Sequence, residues 1–118
     1  AKALAIKPDY VEALNNMGVA LHKQGKLGEA IKNYTKILAI KPDYAEAHYN
    51  MGNAFKDQGE SRGAVEAYKK ALAIKPDYLE AHNNMGATFQ EQGKLDEAIG
   101  AFTKAVSLNP NCVGAYYH

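Results

Sequence analysis

Ala39-Ile40-Lys41-Pro42-Asp43-Tyr44 appears word for word as Ala73-Ile74-Lys75-Pro76-Asp77-Tyr78 and as Ala5-Ile6-Lys7-Pro8-Asp9-Tyr10, at an interval of 34 residues each time. The four prolines, Pro8, Pro42, Pro76 and Pro110, keep the same interval. A fixed period in this range marks a solenoid, in which one supersecondary unit stacks on copies of itself. The 118 residues divide into the end of one unit (1–10), three full units (11–44, 45–78 and 79–112) and the start of another (113–118). The first residue is not Met and the last unit is unfinished, so the chain reads as an excerpt of a longer array.

Within each unit a glycine, Gly25, Gly59 or Gly93, separates two periodic segments. In the first segment Ala13, Met17 and Leu21 recur at i, i+4 and i+8, matched by Ala47, Met51, Phe55 and by Ala81, Met85, Phe89. The second carries Ala30, Tyr34, Ile37 and Leu38, matched by Ala64, Tyr68, Ala71, Leu72 and by Ala98, Phe102, Ala105, Val106. This is helical spacing, not strand alternation, and the fold class it predicts is an all-α solenoid of antiparallel helix pairs. A helical fragment is expected at each end of the three helix pairs. Asp9, Asp43 and Asp77 stand three residues before Glu12, Glu46 and Glu80, a spacing that predicts a capping box. Gly18, Gly52 and Gly86 lie mid-helix, where each costs about 1 kcal/mol against Ala. Close approach of a neighbouring helix is the expected return.

The combination Ala13, Met17, Gly18, Leu21, Ala30, Tyr34, Ile37 and Pro42, repeated as Ala47, Met51, Gly52, Phe55, Ala64, Tyr68, Ala71 and Pro76, resembles the tetratricopeptide repeat. Departures are confined to Leu14, His48 and His82, where many members carry Trp, and to the helical glycines Gly28, Gly63 and Gly100. The stretch from Ala45 to Asn53, followed by Gly63-Ala64-Val65, is similar to repeats of the O-linked N-acetylglucosamine transferase superhelix and related bacterial arrays. The resemblance implies a right-handed superhelix whose first helices line a concave groove. It also implies an asparagine on each first helix that contacts peptide backbone, at Asn16, Asn50 and Asn84.

The residues themselves support a stripe. Glu12, Asn16, Val19 and Lys23 share one face, as do Glu46, Asn50, Asn53, Asp57 and Glu80, Asn84, Ala87, Glu91. An Asn amide offers an acceptor and a donor together and so can hold both polar groups of a peptide unit. Duplication of an ancestral unit is the alternative account of the recurrence. Tyr49 and Asn53, with Asn15, Asn83, His22, Lys56 and Gln90, are candidates for side-chain selectivity. On this reading Ala at Asn16, Asn50 and Asn84 leaves the fold intact, because Ala is the better helix former.

Other chemistries find little support. Glu12, Glu46 and Glu80 hold the second position of each unit, and no Lys or Arg stands at the fifth or sixth, which argues against a clamp for a C-terminal carboxylate. His48 and His82 are equivalent and expected to pack against neighbouring helices, while His22 and His118 are scattered. With a single cysteine, Cys112, and no HExxH or CxxC spacing, no metal site is expected. No phosphate loop or nucleophile motif points to a cofactor or to catalysis.

The net charge of +1 gives no footprint for nucleic acid or an anionic membrane, and no apolar run is long enough to span one. Lys and Arg against Asp and Glu run five to three, five to five and two to four over the three units, so opposite ends carry opposite signs. The lone cysteine leaves the compartment open, with the cytoplasm favoured. The expected function is a noncatalytic protein-interaction scaffold that presents a groove to a peptide or partner segment. The alternatives are an array that self-assembles weakly through its ends, at Leu4, Ile6, Val113, Ala115, Tyr116 and Tyr117, and the substrate-recognition arm of a glycosyltransferase.

Overall fold

The computed structural model describes residues 8–108. Six helices follow one another: α1 (Pro8–Lys23), α2 (Leu27–Ile40), α3 (Ala45–Asp57), α4 (Ser61–Ile74), α5 (Leu79–Glu91) and α6 (Leu95–Leu108). The two terminal fragments and the candidate end contacts at Leu4, Ile6, Val113, Ala115, Tyr116 and Tyr117 lie outside the described residues.

Each first helix ends in a left-handed glycine. Gly25, Gly59 and Gly93 have φ of 83°, 84° and 78°, a region closed to most side chains. The next amide then reaches back five residues, Lys26 to Leu21, Glu60 to Phe55 and Lys94 to Phe89, each at 2.9 Å. This Schellman geometry turns the chain through the sharp corner that sets the two helices of a unit antiparallel.

Between units the connection is a Pro-Asp turn, closed by the Tyr44 amide on the Lys41 carbonyl at 3.2 Å and the Tyr78 amide on Lys75 at 3.0 Å. The capping box is not formed at α3 and α5. Asp43 and Asp77 occupy the centre of the turn, so the helix starts after Tyr44 or Tyr78, and no side chain caps it. Histidine supplies the local tie in its place. His48 Nε2 meets the Pro42 carbonyl at 3.1 Å and His82 Nε2 that of Pro76 at 2.9 Å, pinning the turn to the first coil of the following helix. Both imidazoles are buried, which agrees with a packing role.

Ala30, Tyr34, Ile37, Ala64, Tyr68 and Ala71 are fully buried on the second helices, as are Ala47 and Ala81 on the first. Ala13 is exposed and Met17 is 51% exposed, because α1 has no described helix on the face that α3 and α5 turn toward the preceding pair. The helical glycines explain how the pairs close. A Cβ on Gly18 would lie 2.6 Å from the Tyr34 ring, on Gly52 2.7 Å from Tyr68, and on Gly86 2.8 Å from Phe102. In each unit the aromatic ring of the second helix thus packs directly against a glycine of the first.

Contacts run only between neighbours along the array, which is solenoid behaviour. First helices also touch across units, α1 with α3 and α3 with α5, whereas the second helices do not meet. The row whose members touch is the inner one. The array therefore bends with α1, α3 and α5 on the inside.

Candidate functional site

Four of the side-chain bonds that tie the inner row together follow one rule: partners are one period plus one residue apart. Asn50 donates from Nδ2 to Asn15 Oδ1 at 3.0 Å, and Asn84 donates to the Tyr49 hydroxyl at 3.0 Å, each over a separation of 35 residues. The same separation joins His22 Nε2 to Asp57 Oδ2 at 2.5 Å and Lys56 Nζ to Glu91 Oε2 at 3.4 Å. The amide rungs and the charged rungs lie seven residues, or about two helical turns, apart on the same helices. One asks for hydrogen-bonding groups at equivalent positions, the other for opposite charges.

Asn84 makes a further bond, to Asn53 Oδ1 at 2.9 Å, and the Tyr68 hydroxyl donates to that same oxygen. Around this node the Tyr49 ring lies 4.9 Å from Tyr78 and 6.0 Å from Tyr68, both tilted. Burial pushes the Tyr68 and Tyr78 phenols well above their ordinary pKa, with nearby acidic groups adding to the effect. Both hydroxyls stay protonated at any neutral pH and remain available as donors.

The structure brings four of the five candidate residues, Tyr49, Asn50, Asn53 and Asn84, onto adjoining faces of α3 and α5. Asn50 and Asn84 are half-buried, and part of their amide capacity is already occupied by the preceding helix. Asn16, on α1, is exposed and makes no side-chain hydrogen bond among the described residues. Asn50 and Asn84 are thus also bonded within the fold, which the expectation that Ala at all three positions leaves it intact does not take into account. Asn84 holds α5 to α3, and its loss removes the bonds to Tyr49 and Asn53 together. Tyr68 and Tyr78 belong to the same cluster, although the sequence marks Tyr68 only as a core position of the second helix and Tyr78 only as the end of the recurring hexapeptide. The signal that reveals it is the pairing at 35 residues, most legible in His22 with Asp57 and Lys56 with Glu91.

Among the described residues no group of three or more His, Cys, Asp or Glu side chains is placed to hold a metal ion. No described helix is long and apolar enough to cross a membrane.

Profiles described as "TPR repeat" match residues 20–59 and 52–93, and profiles described as "Tetratricopeptide repeat" match 79–112 and 1–32. The chain belongs to the tetratricopeptide repeat family. No curated protein sequence matches it. Among solved structures, the crystal structure of MamA is similar over 98% of this chain and 67% of its own, at 30% identity and a TM-score of 0.84. The first TPR of Spaghetti (RPAP3), bound to the HSP90 peptide SRMEEVD, is similar over 95% of this chain and 89% of its own, at 27% identity and a TM-score of 0.88. The second TPR of the same protein, bound to the same peptide, shares the fold at 24% identity and a TM-score of 0.80.

Proposed function

We propose that this tetratricopeptide array is a noncatalytic scaffold whose inner helix row receives an extended segment of a partner protein. The observation that carries the proposal is the continuous row of hydrogen-bonding and aromatic side chains on α1, α3 and α5: Asn16, Tyr49, Asn50, Asn53 and Asn84. Helix rows stand about 8–10 Å apart and an extended guest advances about 3.3 Å per residue, so successive units meet roughly every third guest residue. The likeness to a TPR bound to an HSP90 peptide supports the same mode of use. The chemistry here is different. Lys56 and His22 are paired with carboxylates of the next unit, and no cation stands at Asn15, Asn16, Tyr49 or Asn50 to take a terminal carboxylate.

In this arrangement Asn50 and Asn84 have two roles. They lock neighbouring first helices and present their remaining amide groups, above all the carbonyl oxygens, to the guest. Asn16 makes no side-chain hydrogen bond among the described residues and so offers its whole amide. Calorimetric titration with peptides selected from a display library tests the assignment. Asn16→Ala, which disturbs no bond of the fold, should weaken binding by a few-fold to about tenfold, the worth of one or two hydrogen bonds. Unchanged affinity in Asn16→Ala and in a second variant, Asn50→Ala, at unchanged helicity would place the guest elsewhere.

A second reading, self-assembly, has a specific observation behind it. Leu95 and Ile99 on α6 are 59% and 62% exposed, whereas Val65, the counterpart of Ile99 on α4, is buried against α5. Light scattering over a concentration series separates a monomeric scaffold from an end-to-end array.

A further inference from the structure

The two faces of the array differ in charge more than the chain as a whole suggests. From Tyr10 onward the inner helices carry Glu12, Glu46, Asp57, Glu80 and Glu91 against only Lys23 and Lys56, whereas on the outer helices six bases face four acids. The ion pairs sharpen the difference. Lys56 and His22 serve Glu91 and Asp57, and Glu12, Glu46 and Glu80 are exposed with no ion pair among the described residues.

These three glutamates are not scattered. They recur at the period along one lip of the inner face, and Tyr44 and Tyr78 stand between them. Tyr44 lies within reach of the charges of Glu46 and Glu12, and Tyr78 of those of Glu46 and Glu80. In chain order the lip reads Glu12, Tyr44, Glu46, Tyr78, Glu80. The lip already attracts ammonium groups of the protein itself. Lys75 Nζ lies 4.7 Å from the centroid of the Tyr78 ring and Lys41 Nζ 6.0 Å from that of Tyr44, within the range of a cation–π contact. Val11, Glu12, Lys41 and Tyr44 line a cleft of about 200 Å³ at the first of these positions.

We infer that the inner face takes a basic, extended protein segment, with lysine or arginine side chains seated along the Glu12–Tyr44–Glu46–Tyr78–Glu80 lip. This rests on the reading that the inner row is the docking face and adds the class of guest. The repeat fixes the guest's spacing. A polyproline II strand presents the same face every three residues, about 9 Å, which matches the separation of packed helices. The segment that fits carries a cation at every third position. Its cations displace Lys41 and Lys75 from the tyrosine rings and pair with the glutamates.

Fluorescence anisotropy with labelled peptides tests this on the whole chain. Three peptides share a Pro- and Gln-rich frame and carry Lys, Gln or Glu at every third position. The Lys peptide should bind and the Glu peptide should not. Combined Glu12→Gln, Glu46→Gln and Glu80→Gln should weaken the Lys peptide about tenfold, as expected for three exposed ion pairs. The outer-face control, Glu29→Gln, Glu66→Gln and Glu97→Gln, makes the same change in net charge and should leave affinity within about twofold, because its charges lie on the far side of the array. Lys41→Ala with Lys75→Ala should strengthen binding. Equal weakening by the inner and outer triple variants overturns the inference, as does equal binding of the Gln or Glu peptide. If display-selected peptides bind the inner row and the Lys peptide does not, only the charge class fails. If no peptide binds at all, the docking reading fails with it.

Discussion

The Tyr68 ring lies on Gly52 so closely that a methyl group there would stand 2.7 Å from Cε1. Gly52→Ala should therefore destabilise the protein by about 1–3 kcal/mol, the usual cost of overpacking, against the gain of about 1 kcal/mol that Ala brings to an open helix site. Gly100, inside α6, has nothing within 4 Å of its missing Cβ. Gly100→Ala should show that gain in full. Urea unfolding of the two variants checks the opposite signs.

The same substitution should also change sign between Tyr34 and Tyr68. The Tyr34 hydroxyl is buried without a partner among the described residues, because Val19 stands where the second unit has Asn53, which accepts from Tyr68. In the third unit the pair is Ala87 and Phe102. Tyr34→Phe removes an unsatisfied hydroxyl and should stabilise by about 1 kcal/mol, whereas Tyr68→Phe should cost about 0.5–1.5 kcal/mol. Thermal melts of the two variants decide this.

Alkali should unfold the array. Burial foremost, and then the charge of Glu46, raises the Tyr34 pKa from 10.0 to about 12. A group that holds its proton more tightly when folded contributes stability that is complete below the unfolded pKa and is lost as pH climbs through the folded one. Stability should fall between pH 10 and about 12, and Tyr34→Phe should make that fall shallower. Chemical denaturation across this interval measures the slope. A variant with the wild-type slope would refute the assignment.

Asn84→Ala and Asn16→Ala, equivalent by sequence, should differ. Asn84 bonds to Tyr49 and Asn53 across the α3–α5 interface, and its loss should cost about 1–3 kcal/mol. Asn16 has no such partner, so the change should be neutral or stabilising by up to about 0.7 kcal/mol, the difference in helix propensity. Denaturant midpoints at constant slope provide the comparison.

Much of this was legible in the chain. The period set the helix pairs, and the mid-helix position of Gly18, Gly52 and Gly86 announced the close approach that the rings of Tyr34, Tyr68 and Phe102 supply. Asp43 and Glu46 were misread as a capping box because their spacing suits one. The Pro42 turn holds Asp43 at its centre, and His48 makes the tie. The asparagine stripe was read down single helices and so appeared free. Its bonds to Asn15 and Tyr49 run between helices at one period plus one residue, an offset that depends on how far neighbouring first helices are shifted along each other. Local periodicity does not encode that shift. The opposite charges of Lys56 and Glu91 do, once the separation to look for is known.

The central claim is that a partner segment lies along α1, α3 and α5, and backbone amide NMR during titration with a bound peptide tests it most directly. Shifts should concentrate on the inner row around Asn16, Tyr49, Asn50, Asn53 and Asn84, with the outer faces of α2, α4 and α6 unchanged. Shifts confined to those outer faces, or to the ends of the array at Met17 and Ile99, would contradict the account.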